Sequence, residues 1–337
     1  MKRALALGAL AMLLAAPARS ARAAEPVQLK FGYPGSVSSY VNTKGMTPWL
    51  KAVNEASDGT LKITLYAGPT LGTIRDIYER TLAGVAQIAF ATFGAITSQF
   101  PLVQVAELPF LSNDAEISSV ALWRLYEKGL FGHEFDKVKV LALFNFESSA
   151  LDTNKPVATI DDLRGLKLAV ESRILGDMTV ALGASPVTLT TTELYQAMSR
   201  GTVDGIFIGW TAIKTFKLQE VTKDHLELSL GEAPAYVIMN EAAYAALSAK
   251  AKAAIDKYSG ESFSRKLGAN NVAAGREEAQ LVTGMAGQSV AKLSPAQETI
   301  WKARVEPIVD DWIKRTPDGA KVLAAYRDEI EKLASTR

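Results

Sequence analysis

A strand–helix–glycine–strand pattern occurs twice in this chain, and it restricts the fold more than any other feature. In the first copy, Leu61-Lys62-Ile63-Thr64-Leu65-Tyr66 alternates with the period of two of a half-buried strand. Ile74, Ile77, Tyr78, Thr81 and Leu82 then follow the spacing of a one-sided helix. Gly84 closes that helix, and Ile88-Ala89-Phe90 reads as a buried strand. In the second copy, Val187-Thr188-Leu189 is a short strand, and Thr190 with Glu193 has capping-box spacing at a helix start. Gly201 closes the helix before a strand over 203–208. Aligning Gly84 on Gly201 sets Phe90 on Phe207. Two α/β lobes of like construction follow. Length agrees, because single cores stop growing near ~250–300 residues and this chain has 337.

Further strands are expected over 29–33 and 139–146, and a helix over 43–57. The exit from the 139–146 strand, residues 147–154, is a crossover between lobes, and a strand over 235–239 crosses back. From Ser248 a long helical pattern runs to about Gly284, broken at Gly260 with a second break possible at Gly268. Two amphipathic helices follow, near 295–314 and 318–333. No long linker is present, so short strands join the lobes. The expected division is 1–23 as a leader, 24–147 plus about 236–270 as lobe I, and 148–235 plus about 271–337 as lobe II.

The leader reads as a secretory signal peptide. Met1-Lys2-Arg3 is a positive start, residues 4–16 are apolar, and Ala21-Arg22-Ala23 fits a small-x-small cleavage site. An apolar run of 13 residues falls short of the ~20 that a spanning helix needs. Residues 83–106 are uncharged, but their glutamines, threonine and Pro101 suit a strand, a short helix and a loop better than lipid. The expectation is a periplasmic protein that does not itself span the membrane.

The charge balance of 37 Lys and Arg against 36 Asp and Glu gives no basic footprint for nucleic acid. With no cysteine and only two histidines, His133 and His225, far apart in sequence, disulfides, thiolate nucleophiles and a local histidine metal motif are excluded. Neither a cofactor nor a metal is expected. No G-x-S-x-G, P-loop or H-E-x-x-H motif occurs. Gly68-Pro69-Thr70-Leu71-Gly72 reads as a strand-to-helix turn, His225 as a surface or satisfied histidine, and Asp161-Asp162 as a helix cap.

The stretch from Thr159-Ile160-Asp161-Asp162-Leu163-Arg164-Gly165-Leu166-Lys167-Leu168 to Gly201-Thr202-Val203-Asp204-Gly205 resembles a known family, as do Leu71-Gly72 and Glu107-Leu108-Pro109-Phe110-Leu111 upstream. Ala181 to Pro186 and Glu193 to Met198 keep the same order. The chain is similar, over essentially its whole mature length, to the substrate-binding subunit of tripartite ATP-independent periplasmic (TRAP) transporters, of the dicarboxylate-binding type. That resemblance implies an α/β, two-lobe periplasmic binding protein (type II-like) with short crossover strands and one long helix spanning both lobes. It also implies a small-molecule solute bound in the interlobe cleft and handed to TRAP-type membrane permease subunits. The rival readings are an exported enzyme on the same fold and a sensory module that presents its ligand to a receptor.

The resemblance also implies an arginine after the Gly-Leu-Lys run, a basic residue before the Thr-Asn-Lys segment, and a polar residue after Val-Asp-Gly. Here those places hold Ala169, Ser149 and Ile208. A carboxylate buried without its arginine loses charge-assisted hydrogen bonds worth about 1.5–3 kcal/mol, so simple C4-dicarboxylates should bind poorly. Arg173, just past the strand, is the nearest candidate for a surrogate cation, the alternative being a solvated loop arginine. Glu147 and Glu171, beside the vacated positions, are expected to receive an amine or hydroxyls. Tyr33, Tyr40, Phe93, Phe146 and Trp210 are the expected apolar walls, because ligands in α/β clefts sit at the carboxyl ends of strands.

Overall fold

A computed structural model describes residues 25–336; the expected signal peptide lies outside the described residues. In chain order the strands are β1 (Val27–Tyr33), β2 (Leu61–Ala67), β3 (Ile88–Thr92), β4 (Val138–Thr153), β5 (Lys167–Val170), β6 (Ser185–Thr188), β7 (Gly205–Ile208), β8 (Asp224–Asn240) and β9 (Ser289–Lys292). The helices are α1 (Thr47–Ala56), α2 (Ile77–Leu82), α3 (Ala115–Glu127), α4 (Arg173–Ala181), α5 (Leu194–Ser199), α6 (Trp210–Thr215), α7 (Glu241–Ala245), α8 (Ala249–Lys257), α9 (Glu261–Thr283), α10 (Pro295–Arg315) and α11 (Gly319–Ser335).

The strands form one sheet in the order β2-β1-β3-β8-β4-β7-β5-β6, with β9 added beside β8. The order reads alike from either end. β1 lies parallel between β2 and β3, and β5 lies parallel between β6 and β7. Each trio is then joined antiparallel to a long central strand, β3 to β8 and β7 to β4. The twofold pattern in the sequence is therefore a twofold plan in the sheet, and β3 and β7 hold equivalent places. The capping box of Thr190 and Glu193 forms as the spacing requires.

β4 and β8 are longer than the sequence pattern indicates, at 16 and 17 residues. They pair along both halves of the molecule, with register shifts between Asn145 and Ser148 and between Ser148 and Ala150. Those shifts mark the crossing. There Gly231 takes a left-handed φ of 92°, and a Cβ on it would stand 2.1 Å from the Glu107 carbonyl oxygen, so no larger residue fits. The short crossovers are thus segments inside two long strands. The first half of β8, residues 224–230, and the exposed strand β9 escape a period-two reading.

α9 ties the halves together. Phe263 and Leu267 near its start pack in a core of Phe31, Trp49 and Phe144, whereas Val282 near its end packs with Met198, Ile206 and Ile213. The helix runs unbroken through Gly268, whose role is close approach: a Cβ there would lie 2.3 Å from the Ala115 carbonyl oxygen of α3. At the back, α10 packs on α4 and α11 on α3, so the terminal pair touches both halves.

Candidate functional site

Each trio of strands delivers its carboxyl ends to one place. Tyr33 closes β1, Thr92 closes β3, Glu171 follows β5, and Ile208 and Gly209 end β7. Together with Phe146 and Glu147 on the crossing strand β4, they enclose a cavity of about 110 Å³ between the halves. Phe90 and Phe207, the residues set on each other by the sequence repeat, both line it. Tyr33 stacks on Phe90 with ring centroids 5.0 Å apart, and Phe90 on Phe144 at 6.0 Å. The Tyr33 hydroxyl lies 2.5 Å from Ser39 Oγ, and burial pushes its pKa up to about 12, so it remains a neutral phenol.

The halves touch across the cavity. At the mouth, the Arg75 guanidinium donates to Glu193 at 2.7 Å, joining the two repeats. Deeper in, Gly94 presses on Glu171: a Cβ on Gly94 would lie 3.0 Å from the Glu171 Cβ. The structure is a closed one.

The polar lining is acidic. Glu171 Oε1 accepts from the Thr191 amide at 2.8 Å, and Glu147 Oε1 accepts from the Thr211 amide at 2.5 Å. Glu147 Oε2 is shut off from solvent without a hydrogen-bond partner. It is confined by Gly209 and Gly275, where added Cβ atoms would come within 2.8 and 3.4 Å of its carboxyl atoms. A smaller chamber of about 20 Å³ adjoins the cavity, sharing Thr92, Ser149 and Glu171 and adding Glu107 and Glu232. Burial raises every one of these carboxyls above its ordinary range. Glu107 and Glu171 reach about 7, and Glu232 about 8, with Glu171 adding repulsion at Glu107 and Asp114 at Glu232. Glu147 rises for the same reason, against the hydrogen bond from Thr211. Among the described residues, no lysine or arginine lines either space.

Seven of the expected site residues meet at the cavity: Tyr33, Tyr40, Phe146, Glu147, Ser149, Glu171 and Ile208. Four do not. Phe93 turns into the core, its ring 4.9 Å from both Phe100 and Tyr236. Ala169 lies inside β5 between Val187 and Ile206, 1% exposed, in the apolar cluster around Met198 and Ile213. Arg173 is corrected from a cleft cation to an exposed first residue of α4, 3.7 Å from Asp177, which Arg315 also holds at 2.8 Å. The helix begins at once after Ser172, the N-cap, and carries Arg173 outward. Trp210 opens α6 on the far side of Glu147. There it packs on His225 at 5.2 Å and borders a wider recess of about 490 Å³. That recess lies open to solvent, and its Lys292 is taken by Glu227 at 3.0 Å; the smaller cavity is the one bounded by both sets of strand ends.

Sequence reasoning missed Glu107 and Glu232 as lining residues: Glu107 heads the family-like run to Leu111 without being read as part of the site, Glu232 sits in no local motif, and the crossing brings both in. It also missed Thr92, which the rule of strand carboxyl ends would have found. His225 is satisfied rather than superficial. Its Nδ1 lies 2.5 Å from Asp152 Oδ1 and its Nε2 2.8 Å from Gln288 Oε1, with His225 and Asp152 out of contact with water and Gln288 half-buried.

Two α/β halves joined by crossing strands and closing on a buried cavity define a cleft-type solute-binding protein. The description of bacterial extracellular solute-binding proteins, family 7, matches residues 36–316, and the chain belongs to that family. It is a solute-binding receptor class rather than an enzyme class. A sialic acid-binding periplasmic protein of Vibrio cholerae is 32% identical over 228 residues, covering 64% of this chain and 67% of that one. Two solved structures superpose with TM-scores of 0.88. One is a marine metagenome TRAP solute-binding protein in complex with 3-hydroxybenzoate, 29% identical, covering 92% of this chain and 99% of the other. The second, from Rhodoferax ferrireducens with copurified benzoate, is 28% identical at the same coverage. No described helix is long and apolar enough to cross a membrane.

Proposed function

We propose that this protein is exported to the periplasm with cleavage after Ala23, binds one small organic solute in the interlobe cavity without turning it over, and delivers it to TRAP-type membrane permease subunits. The observation that carries the reading is the closed cavity at the carboxyl ends of both strand trios, walled by Tyr33, Phe90, Phe146 and Phe207. Ring-bearing solutes in two similar structures support an apolar, ring-sized body for the ligand. The absence of a lining cation supports exclusion of C4-dicarboxylates, because two charges would enter an apolar space unpaired. Seven of the expected contacts, from Tyr33 to Ile208, are proposed as solute contacts, with Phe90, Thr92 and Phe207 added.

The proposed moving bodies are residues 24–147 with about 236–270, and 148–235 with about 271–337, except that α11 packs on α3 of the first body and stays with it. They hinge where β4 and β8 lose register. The test is native mass spectrometry of the exported protein to identify its copurified solute, followed by small-angle scattering with and without that solute. Retention of the intact N-terminus, conversion of the solute to a product, or an unchanged radius at saturation would each count against the corresponding part.

A further inference from the structure

We propose that the solute carries a protonated amine, held by Glu171 and Glu147 while its apolar body lies against Tyr33, Phe90 and Phe146. This rests on the interlobe cavity being the receptor's solute site. The geometry supplies carboxyl groups and withholds positive charge. Glu147 and Glu171 line the cavity, and Glu107 and Glu232 line the chamber behind it. Glu107 and Glu232 are 5% and 2% exposed. Glu107 Oε2, Glu147 Oε2 and Thr92 Oγ1 are all buried with no hydrogen-bond partner, and neither oxygen of Glu232 is in bonding geometry despite Ser112, Ser118 and Asn145 nearby. Acceptors left open in this way cost free energy unless something occupies them.

Three basic residues around the cleft are engaged elsewhere, and Arg276 faces the wider recess beyond Glu147 rather than the cavity. Arg75 pairs with Glu193 at the mouth, Arg173 with Asp177 outside, and Lys214 with Glu278 at 3.8 Å. A carboxylate solute would add one more anion to a space that already holds acids and no cation. A bare metal ion is the wrong occupant, since among the described residues no group of three or more His, Cys, Asp or Glu side chains is placed to hold one. An ammonium group on an apolar body answers both features. It donates up to three hydrogen bonds to carboxylates, and its apolar body meets the aromatic wall of Tyr33, Phe90 and Phe146. Glu171 lines cavity and chamber alike, which places the ammonium at their junction. Burial raises the affinity of these carboxyls for protons, and an ammonium group would offset that cost.

The test uses the exported protein and matched probes on one body: benzylamine, benzyl alcohol and benzoate, with their phenethyl and phenylpropyl homologues. Calorimetry and thermal shift should show the amine of at least one length binding about tenfold or more tighter than its alcohol, with no binding by the acid. Glu171→Gln should lower amine affinity about tenfold and leave alcohol binding within about twofold. Glu147→Gln, which keeps an oxygen for the Thr211 amide, should act in the same direction. Acids binding as well as amines, no amine binding at any length, or a Glu171→Gln protein with undiminished amine affinity would each overturn the inference. Benzoate or benzyl alcohol binding with compaction in scattering would overturn it while leaving the receptor reading standing. A bound solute that is consumed, or that never compacts the protein, would instead sink the receptor reading.

Discussion

Asp152 and Glu107 are both buried acids near the crossing of β4 and β8, and the fold treats them in opposite ways. Asp152 is fully buried and its Oδ1 meets His225 Nδ1 at 2.5 Å, which in turn meets Gln288, while Asp152 Oδ2 has no partner; the titratable partner is supplied from within. Burial raises the Asp152 carboxyl, and His225 offsets part of that rise, while Asp152 and Gln288 raise the imidazole against its own burial. Glu107 sits with Glu171 and Glu232 around a small space, and no lysine or arginine lines it. An acid that carries its own titratable partner is a fastening, here between β4, β8 and the segment leading to β9. An acid left without one, beside a cavity closed by two lobes, is built to meet something that arrives from outside.

The largest test of this contrast removes each kind of acid in turn. Asp152→Ala leaves His225 buried without its carboxylate, holding only Gln288, which should cost about 3–5 kcal/mol by chemical denaturation. Glu232→Gln removes an uncompensated charge at nearly constant shape, and at pH 8 it should cost nothing or stabilise by about 1 kcal/mol or more. Equal losses from both substitutions would break the contrast.

The next effect is on pH. Glu107, Glu171 and Glu232 have folded values of about 7, 7 and 8 against an ordinary 4.5. The folded protein therefore holds protons that the unfolded chain releases, and stability should fall as pH rises from about 4.5 to 8. His225, raised above 6.5, acts in the same sense: its contribution is full below 6.5 and is lost as pH passes its folded value. Glu193, Glu261 and Glu329 are lowered by their basic partners or hydrogen bonds, so their contribution is lost only below about 4.5. Melting temperature should peak near pH 5 and decline toward 8, and Glu232→Gln should flatten the decline between 6 and 8. A melting temperature that rises across that window would show the chamber acids to be compensated after all.

The smallest effect belongs to Arg75→Ala. The Arg75–Glu193 pair is 54% and 47% exposed on its two sides, so its loss should change global stability by about 0–1 kcal/mol. It spans the mouth, however, and the unliganded variant should be more open in scattering, with solute affinity reduced no more than about fivefold. An unchanged scattering profile would assign closure to the Gly94–Glu171 contact alone.

Much of this was legible in local pattern. The two glycine-closed strand–helix–strand units appear in the sequence because the periods of two and 3.6 record which face of each element is buried, and Phe90 and Phe207 fall on equivalent strands as their alignment implies. Tyr33 could be named because strand ends point into clefts, and Glu147 and Glu171 because they stand beside the positions that the family resemblance marks. What the sequence could not show was which way the chain turns after a strand. Arg173 and Trp210 each stand within a few residues of a cavity-lining side chain, yet the helices they open carry them away from it. Nor could it show that Glu107 and Glu232, 125 positions apart in number, share one chamber with Glu171, or that His225 would be the partner of Asp152. Those meetings are made by the crossing of β4 and β8 and by the closure of the lobes. The free energy of a buried charge depends on what lies within a few ångströms of it in space, and that neighbourhood exists only once the chain has folded.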